Sequence, residues 1–323
     1  MWAQVLDGPF RFQQVDVEAP GPGDLADGQV LVAARAGGIC GSDLPFFKGA
    51  PFQQSASPAG GTTAPPGFPL HEIVGEVVAS RHPAHSPGEL VVGWASAFDG
   101  IAEFVVSDGE GLAGYDPALP ATTAVMLQPL ACVLYAVEQL GDVGGRTVAV
   151  VGQGPIGLLF SHVLKQRGAG RVVGVDRVDR SGSARVFGVD EVVTSGATQW
   201  AAGLAEADRP ALVVEAVGHQ VTTLRDCVTA AAPGGEILYY GIPDDPVYPL
   251  ELYAMVRKNL TLRAGVTRDR RRVLHEAGSY LAAHPELRDG YVSDVHPVGD
   301  VTAAFAAAIQ PRAGQFKIVL ELT

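Results

Sequence analysis

Two features of this 323-residue chain are built to handle a phosphorylated, ribose-bearing ligand: the run Gly152-Gln153-Gly154-Pro155-Ile156-Gly157 and the carboxylate of Asp176. In a G-x-G-x-x-G turn the first glycine permits the tight bend and the second lets the backbone approach a pyrophosphate. The third lets a helix lie close on a sheet. Unpaired N–H groups at the start of that helix, with the positive end of its dipole, attract phosphate. An acid on the order of 20 residues further on accepts hydrogen bonds from the hydroxyls of an adenosine ribose. In a chain with 40 glycines such a run recurs by chance, so its meaning depends on what flanks it.

The flanks are those the chemistry needs. Residues 147–151 are an apolar, β-branched run, as expected of a strand buried on both faces. Leu158, Leu159, Val163 and Leu164 follow at helical spacing, Gly168 and Gly170 stop the helix, and a second apolar run, 172–175, ends in Asp176. Further strands are expected at 191–194, 212–216, 237–241 and 260–262, alternating with helices. Six such strands imply a doubly wound parallel sheet. Val217, just past the strand at 212–216, is taken as a further cofactor contact. Arg177 and Arg180 leave two readings open. An arginine there grips a 2′-phosphate, or it stands as a solvated surface charge, whereas Asp176 itself repels a 2′-phosphate and favours NAD.

Residues 1–120 read as all-β, with short runs at 3–6, 12–17, 30–34, 73–79, 90–94 and 102–106 separated by Gly and Pro clusters. A loop rich in Pro, Gly, Ser and Thr spans 49–69, a length typical of a functional lid. With the Phe46-Phe47 pair it is expected to line a substrate pocket. A helix over 121–140 carries Pro129, which should kink it. Beyond residue 267 the pattern becomes a helix at 273–283, a strand at 291–295, a helix at 301–309 and a strand at 316–322, a tail able to return to the first domain.

The net charge of −12 argues against nucleic acid or an anionic membrane as partner. The N-terminus lacks a signal region, and no apolar stretch approaches the roughly 20 residues that span a bilayer. Cys40, Cys132 and Cys227 are too few and scattered for a disulfide framework. The expected location is the cytoplasm.

Four stretches in order carry a resemblance: Gly38-Ile39-Cys40-Gly41-Ser42-Asp43; Leu70-His71-Glu72 with Gly75-Glu76-Val77; Gln128-Pro129-Leu130-Ala131-Cys132; and the Gly152–Gly157 turn. The chain resembles the medium-chain dehydrogenase/reductase family, in its zinc-dependent alcohol, polyol and threonine dehydrogenase branch. The resemblance implies a GroES-like, β-rich catalytic domain at 1–122 and 268–323, a Rossmann NAD-binding domain at 123–267, and a dimer or tetramer pairing through an edge of the Rossmann sheet. It implies a catalytic zinc held by Cys40, His71 and Glu72. Ser42 would contact the substrate oxygen and pass on its proton while doubling as a helix N-cap, Asp43 would orient the ligands from behind, and Lys317 would approach the nicotinamide.

The chain departs from that pattern at three points. The acid that precedes Pro-Leu-Ala in the family is Gln128 here, a poor zinc ligand able to hydrogen-bond a metal-bound water. Pro45 replaces the histidine that completes a proton relay. The four-cysteine lobe for a structural zinc is missing, since only residues 95–102 separate Trp94 from Glu103 and none is cysteine. The implied activity is NAD-dependent interconversion of a secondary alcohol and a ketone on a small polyol, cyclitol or amino alcohol. Two rivals stand beside it: a zinc-free reductase of a C=C or C=N bond, motivated by Gln128 and Pro45, and a non-catalytic NAD-binding protein.

Overall fold

The computed structural model describes residues 1–50 and 64–323. Most of the loop expected at 49–69, and with it much of the expected pocket wall, lies outside the described residues. The chain divides into two units: Met1–Ala131 with Arg268–Pro311 and Gln315–Thr323, and Cys132–Thr267 with Arg312–Gly314.

The first unit begins with β1 (Trp2–Leu6) and β2 (Phe12–Asp16), an antiparallel pair. Then come β3 (Gln29–Gly38), β4 (Glu72–Ser80), β5 (Leu90–Trp94), β6 (Phe104–Asp108) and β7 (Leu112–Gly114). Valine and isoleucine fill β4 and β5, where branched side chains suit a pleated, half-buried surface. The sequence pattern misses β7, because three residues ending in glycine show no alternation. The β3–β4 ladder sets Gly38 opposite Glu72 and Gly37 opposite Ile73. That register brings the residues just after β3 and just before β4 to one end of the sheet.

The helix expected over 121–140 is two. A short turn of helix, Ala121–Ala124, is followed by Leu127–Glu138. The break falls upstream of Pro129, which sits in the first turn of the second helix. There an N–H would have no intrahelical acceptor, so its loss costs little and produces no kink. Contrary to the expectation that no stretch is long and apolar enough to cross a membrane, Ala121–Glu138 passes that test. It is interrupted and 67% buried, as a core helix is.

The second unit carries β8 (Thr147–Val151), β9 (Arg171–Asp176), β10 (Glu191–Thr194), β11 (Leu212–Glu215), β12 (Glu236–Tyr239) and β13 (Thr261–Ala264). All pair in parallel, in the order β10-β9-β8-β11-β12-β13. The order reverses between β8 and β11, and in such sheets ligands bind beyond the carboxyl ends of the strands at that reversal. Val148, Val150, Leu212, Val213 and Val214 are fully buried, as a strand covered on both faces requires.

The tail returns to the first unit. Helix Arg270–Ala283, a second helix Pro285–Gly290 that the pattern does not announce, β14 (Val292–Pro297), helix Val301–Ala308 and β15 (Lys317–Glu321) close it. β15 lies between β14 and β3, giving the sheet order β14-β15-β3-β4-β5-β7, with β6 also on β3. Phe305 packs against Phe12 and Phe47, with ring centroids 5.0 and 5.2 Å away. Phe47 is therefore a core residue, not part of a pocket wall. Phe46 instead meets Phe68 edge-on at 4.8 Å.

Candidate active site

Cys40 opens a single 3-10 turn, Gly41–Asp43, immediately after β3, and His71 precedes β4. The ladder register therefore places Cys40, His71 and Glu72 together, and one ligand atom from each lies within 4.8 Å of the other two. Asp43 fixes the arrangement. It is fully buried, its Oδ1 is 2.9 Å from His71 Nδ1, and its Oδ2 accepts the Cys40 N–H at 2.9 Å. A carboxylate on one ring nitrogen sets the tautomer and orientation of a metal-ligating histidine, leaving Nε2 available to a metal. Burial pulls the His71 pKa down, but the Asp43 carboxylate and the Cys40 thiol outweigh it and hold the pKa well above the usual value. A cation entering the site has to displace that proton.

Glu72 is fully buried. Its Oε2 lies 2.6 Å from Lys317 Nζ, an ion pair whose angle falls outside hydrogen bonding, so neither carboxylate oxygen has a hydrogen-bond partner. An orphaned buried carboxylate oxygen beside a thiol and an imidazole is a donor set suited to zinc, which takes S, N and O ligands with one position left open in catalytic sites. Gln128, the second residue of helix Leu127–Glu138, is buried. Ser42 is half-buried within the 3-10 turn and does not cap a helix; Asp43 occupies the cap position before Leu44–Phe47, the short helix that contains Pro45. The His71 ring meets Phe98 at 5.1 Å, an apolar wall beside the cluster. Phe98 belongs to a tight turn that spans the expected deletion, closed by its N–H on the Ala95 carbonyl at 3.0 Å.

In the second unit, Gly152 has φ +90° and a Cβ on Gly157 would lie 1.7 Å from the Gly152 carbonyl oxygen, so both positions exclude side chains. Around Gly154 there is open space. Pro155 and Ile156 begin helix Pro155–Gln166, with Gly154 extended at its cap. Asp176, at the end of β9, accepts the Gln153 N–H on Oδ2 at 2.7 Å and the Val178 N–H on Oδ1 at 2.8 Å. Each oxygen keeps a second lone pair for ribose. Arg177 is exposed. Arg180 fits neither expected reading well, since it is buried with one guanidinium N–H donated to the Arg312 carbonyl at 3.1 Å. Its pKa is lowered by burial, against the pull of Asp176. Val217 lies against the glycine turn, its Cγ2 2.8 Å from where a Gly152 Cβ would stand.

Residues 155–281 match the family described as zinc-binding dehydrogenase, and residues 26–115 the alcohol dehydrogenase GroES-like domain. The chain belongs to the medium-chain dehydrogenase/reductase family. It is an alcohol dehydrogenase-type oxidoreductase. It is similar to a probable zinc-binding alcohol dehydrogenase of Mycobacterium tuberculosis, 29% identical over 81% of this chain and 74% of the relative. It is 27% identical to an L-threonine 3-dehydrogenase of Bacillus licheniformis over 74% of this chain and 76% of that one. The fold of an Escherichia coli CFT073 alcohol dehydrogenase solved with NADH superimposes with TM-score 0.81 at 20% identity, covering 99% of both chains.

Three residues of this dehydrogenase make contacts that the sequence reading did not foresee. Glu215 ends β11 fully buried and accepts the N–H groups of Val217, Gly218 and Gly241 at 3.2, 3.1 and 3.2 Å. It ties together the loops after β11 and β12. Burial raises its pKa, opposed by Thr223 and those same amides. The available signal was an acid closing an apolar strand just before Gly218. Lys317, expected near the nicotinamide, lies buried against Glu72 and donates to the Ile39 carbonyl at 2.9 Å.

Asp99 is the third. The residue as a whole is partly accessible, but its Oδ1 is sealed and without a hydrogen-bond partner. Burial raises its pKa from 3.8 to about 6, against its own backbone N–H. A carboxyl with a raised folded-state pKa stabilises the fold at low pH, and this contribution is lost as pH rises from about 4 through about 6. Relative to Asp99→Asn, the wild-type protein should therefore lose roughly 2–3 kcal/mol of stability between about pH 4 and pH 7. Urea unfolding across that range measures it, and identical pH slopes in the two proteins would refute the assignment.

Proposed function

We propose that this dehydrogenase interconverts a secondary alcohol and a ketone on a small polyol, cyclitol or amino alcohol, using NAD and one zinc ion held by Cys40, His71 and Glu72. The observation that carries the reading is the buried three-residue cluster, with Asp43 bonded to two of its members and both Glu72 oxygens left without hydrogen bonds. The threonine dehydrogenase among the relatives supports the amino-alcohol end of the substrate range. We assign catalysis to residues 1–122 and 268–323 and cofactor binding to residues 123–267.

Bound zinc would polarise the substrate oxygen and NAD would accept the hydride. The protein's part is to orient and to move a proton. Ser42, between the ligand Cys40 and the buried Asp43, is placed to accept the hydroxyl proton. With Pro45 in place of a histidine, Ser42 would hand it on through water. Gln128, a buried neutral amide, would offer a hydrogen bond to a metal-held water without adding charge. Since thiolate and carboxylate already balance the 2+ charge, the neutral amide leaves the site electrophilic but easier to strip, as outer groups shift metal affinity by about 10–100-fold. The protein should therefore purify with less than one zinc per chain, fill on adding zinc, and lose alcohol oxidation to chelators. Cys40→Ser should abolish both zinc and activity, and Gln128→Glu should tighten zinc. Elemental analysis with turnover assays decides it: full turnover in the metal-free protein would sink this reading and favour a zinc-free reductase.

Asp176 and the buried state of Arg180 support NAD over NADP. A carboxylate facing a 2′-phosphate in a partly solvated site is worth about 1–4 kcal/mol. Catalytic efficiency with NAD should exceed that with NADP about ten- to a thousand-fold. Asp176→Asn, which keeps part of the hydrogen bonding, should narrow the gap, whereas parity in the wild-type enzyme would show that the arginines dominate.

The subunits pair through β13. This edge strand is exposed along its length, and beside it helix Leu252–Lys258 shows Leu252, Tyr253 and Val256 at 63%, 79% and 65% exposure. An open strand edge flanked by apolar side chains is a template for a second copy, and a two-fold axis satisfies both edges at once. Sedimentation equilibrium should show a dimer or tetramer, and Tyr253→Asp with Val256→Asp should shift it to monomer; a monomeric wild-type protein would contradict the pairing.

A further inference from the structure

Lys317 is one of the most deeply buried charged side chains among the described residues, and its contacts tie it to the Cys40–His71–Glu72 cluster. Its ammonium reaches two places at once: Oε2 of Glu72 at 2.6 Å and the carbonyl of Ile39, the residue before Cys40, at 2.9 Å. Both side chains of the ion pair are all but inaccessible. Room is made by Gly38, opposite Glu72 in the β3–β4 ladder. A Cβ there would lie 2.4 Å from Glu72 Oε2 and 2.8 Å from Lys317 Cε. The lysine stem thus runs along the one position in β3 where a side chain is missing.

A buried ion pair is usually neutral or costly for stability next to a hydrophobic pair of similar shape, so its retention calls for another role. Here one partner is also a proposed ligand. From this geometry we infer that Lys317 tunes the metal site. It occupies Oε2, leaves Oε1 as the oxygen offered to the cation, and cancels most of the carboxylate's charge. With Gln128 replacing an acid, the cation then faces one uncompensated anionic ligand, the Cys40 thiolate. The lysine therefore weakens zinc retention and raises the charge the zinc can exert on a bound oxygen. Lys317 is a positioning residue. It acts by its positive charge, held against Glu72 Oε2 beside the cation's place.

This inference rests on the zinc reading above, and the two fail differently. The measurement is zinc affinity by competition with a chromophoric chelator, on the full chain, for wild type, Lys317→Met, Lys317→Arg, Glu72→Gln and Glu72→Gln with Lys317→Met. Wild type that binds no zinc overturns the zinc reading itself. Given binding, Lys317→Met should hold zinc about tenfold or more tighter, the scale on which outer groups act, and Lys317→Arg should stay near wild type. A purely structural lysine predicts the opposite sign, because its loss would disorder the site and weaken binding. If Lys317→Met does not fold, the same comparison runs in the Glu72→Gln background, where the double variant has no buried charge left over. There the double variant should bind zinc about tenfold tighter than Glu72→Gln alone. Unchanged or weaker affinity on removing the lysine, in whichever background folds, overturns the assignment.

Discussion

A buried carboxylate cannot be left to itself, and the chemistry of the first unit depends on how Asp43 meets that constraint. Fully buried, Asp43 must find hydrogen-bond donors, and those it meets are the Cys40 amide and the His71 ring. Satisfying it therefore fixes the thiol and the imidazole relative to each other before any ion arrives. The β3–β4 register makes the encounter possible, and Asp43 makes it rigid. The same logic recurs in the second unit. Glu215, equally buried, is satisfied by three backbone amides from two loops, and those loops flank the glycine turn. In each unit, an acid that does no chemistry of its own holds in place the segments that could.

How much of this could be read from the chain depended on range. The glycine turn and its flanking strands are local, and their pattern fixes them: Gly157 can only be glycine because its neighbour's carbonyl lies where a side chain would be. The inner strands of the second unit, β8, β9, β11 and β12, are also legible, because a strand covered on both faces is an apolar run, rich in valine, that little else produces. The resemblance pointed to Cys40, His71 and Glu72, and the fold brings them together.

What stayed hidden was set by contacts distant in sequence or by exposure. Nothing near Lys317 in the chain announces a partner at position 72. Phe46 and Phe47 look equivalent as neighbours, yet Phe47 turns into an aromatic cluster with residues 12 and 305 while Phe46 does not. Arg180 reads as surface charge until its burial is known. Pro129 suggested a kink because its position within the helix, not its presence, decides the effect. Asp99 lies in a turn whose shortness was visible but whose closed-off carboxylate was not.

The placement of β15 bears on how the protein is made. The second unit is drawn almost entirely from one continuous stretch, residues 132–267, and can condense as soon as that stretch has left the ribosome. The first unit cannot: β3 waits for a neighbour that is synthesised nearly 280 residues later, as the hydrogen bond from Lys317 to Ile39 spans 278 positions. During translation the end of β3 that leads into Cys40 therefore has an open edge on one side, and the thiol stands without the lysine–glutamate pair nearby. The open edge invites mispairing until β15 arrives, and the segment that closes it also brings Lys317 to Glu72.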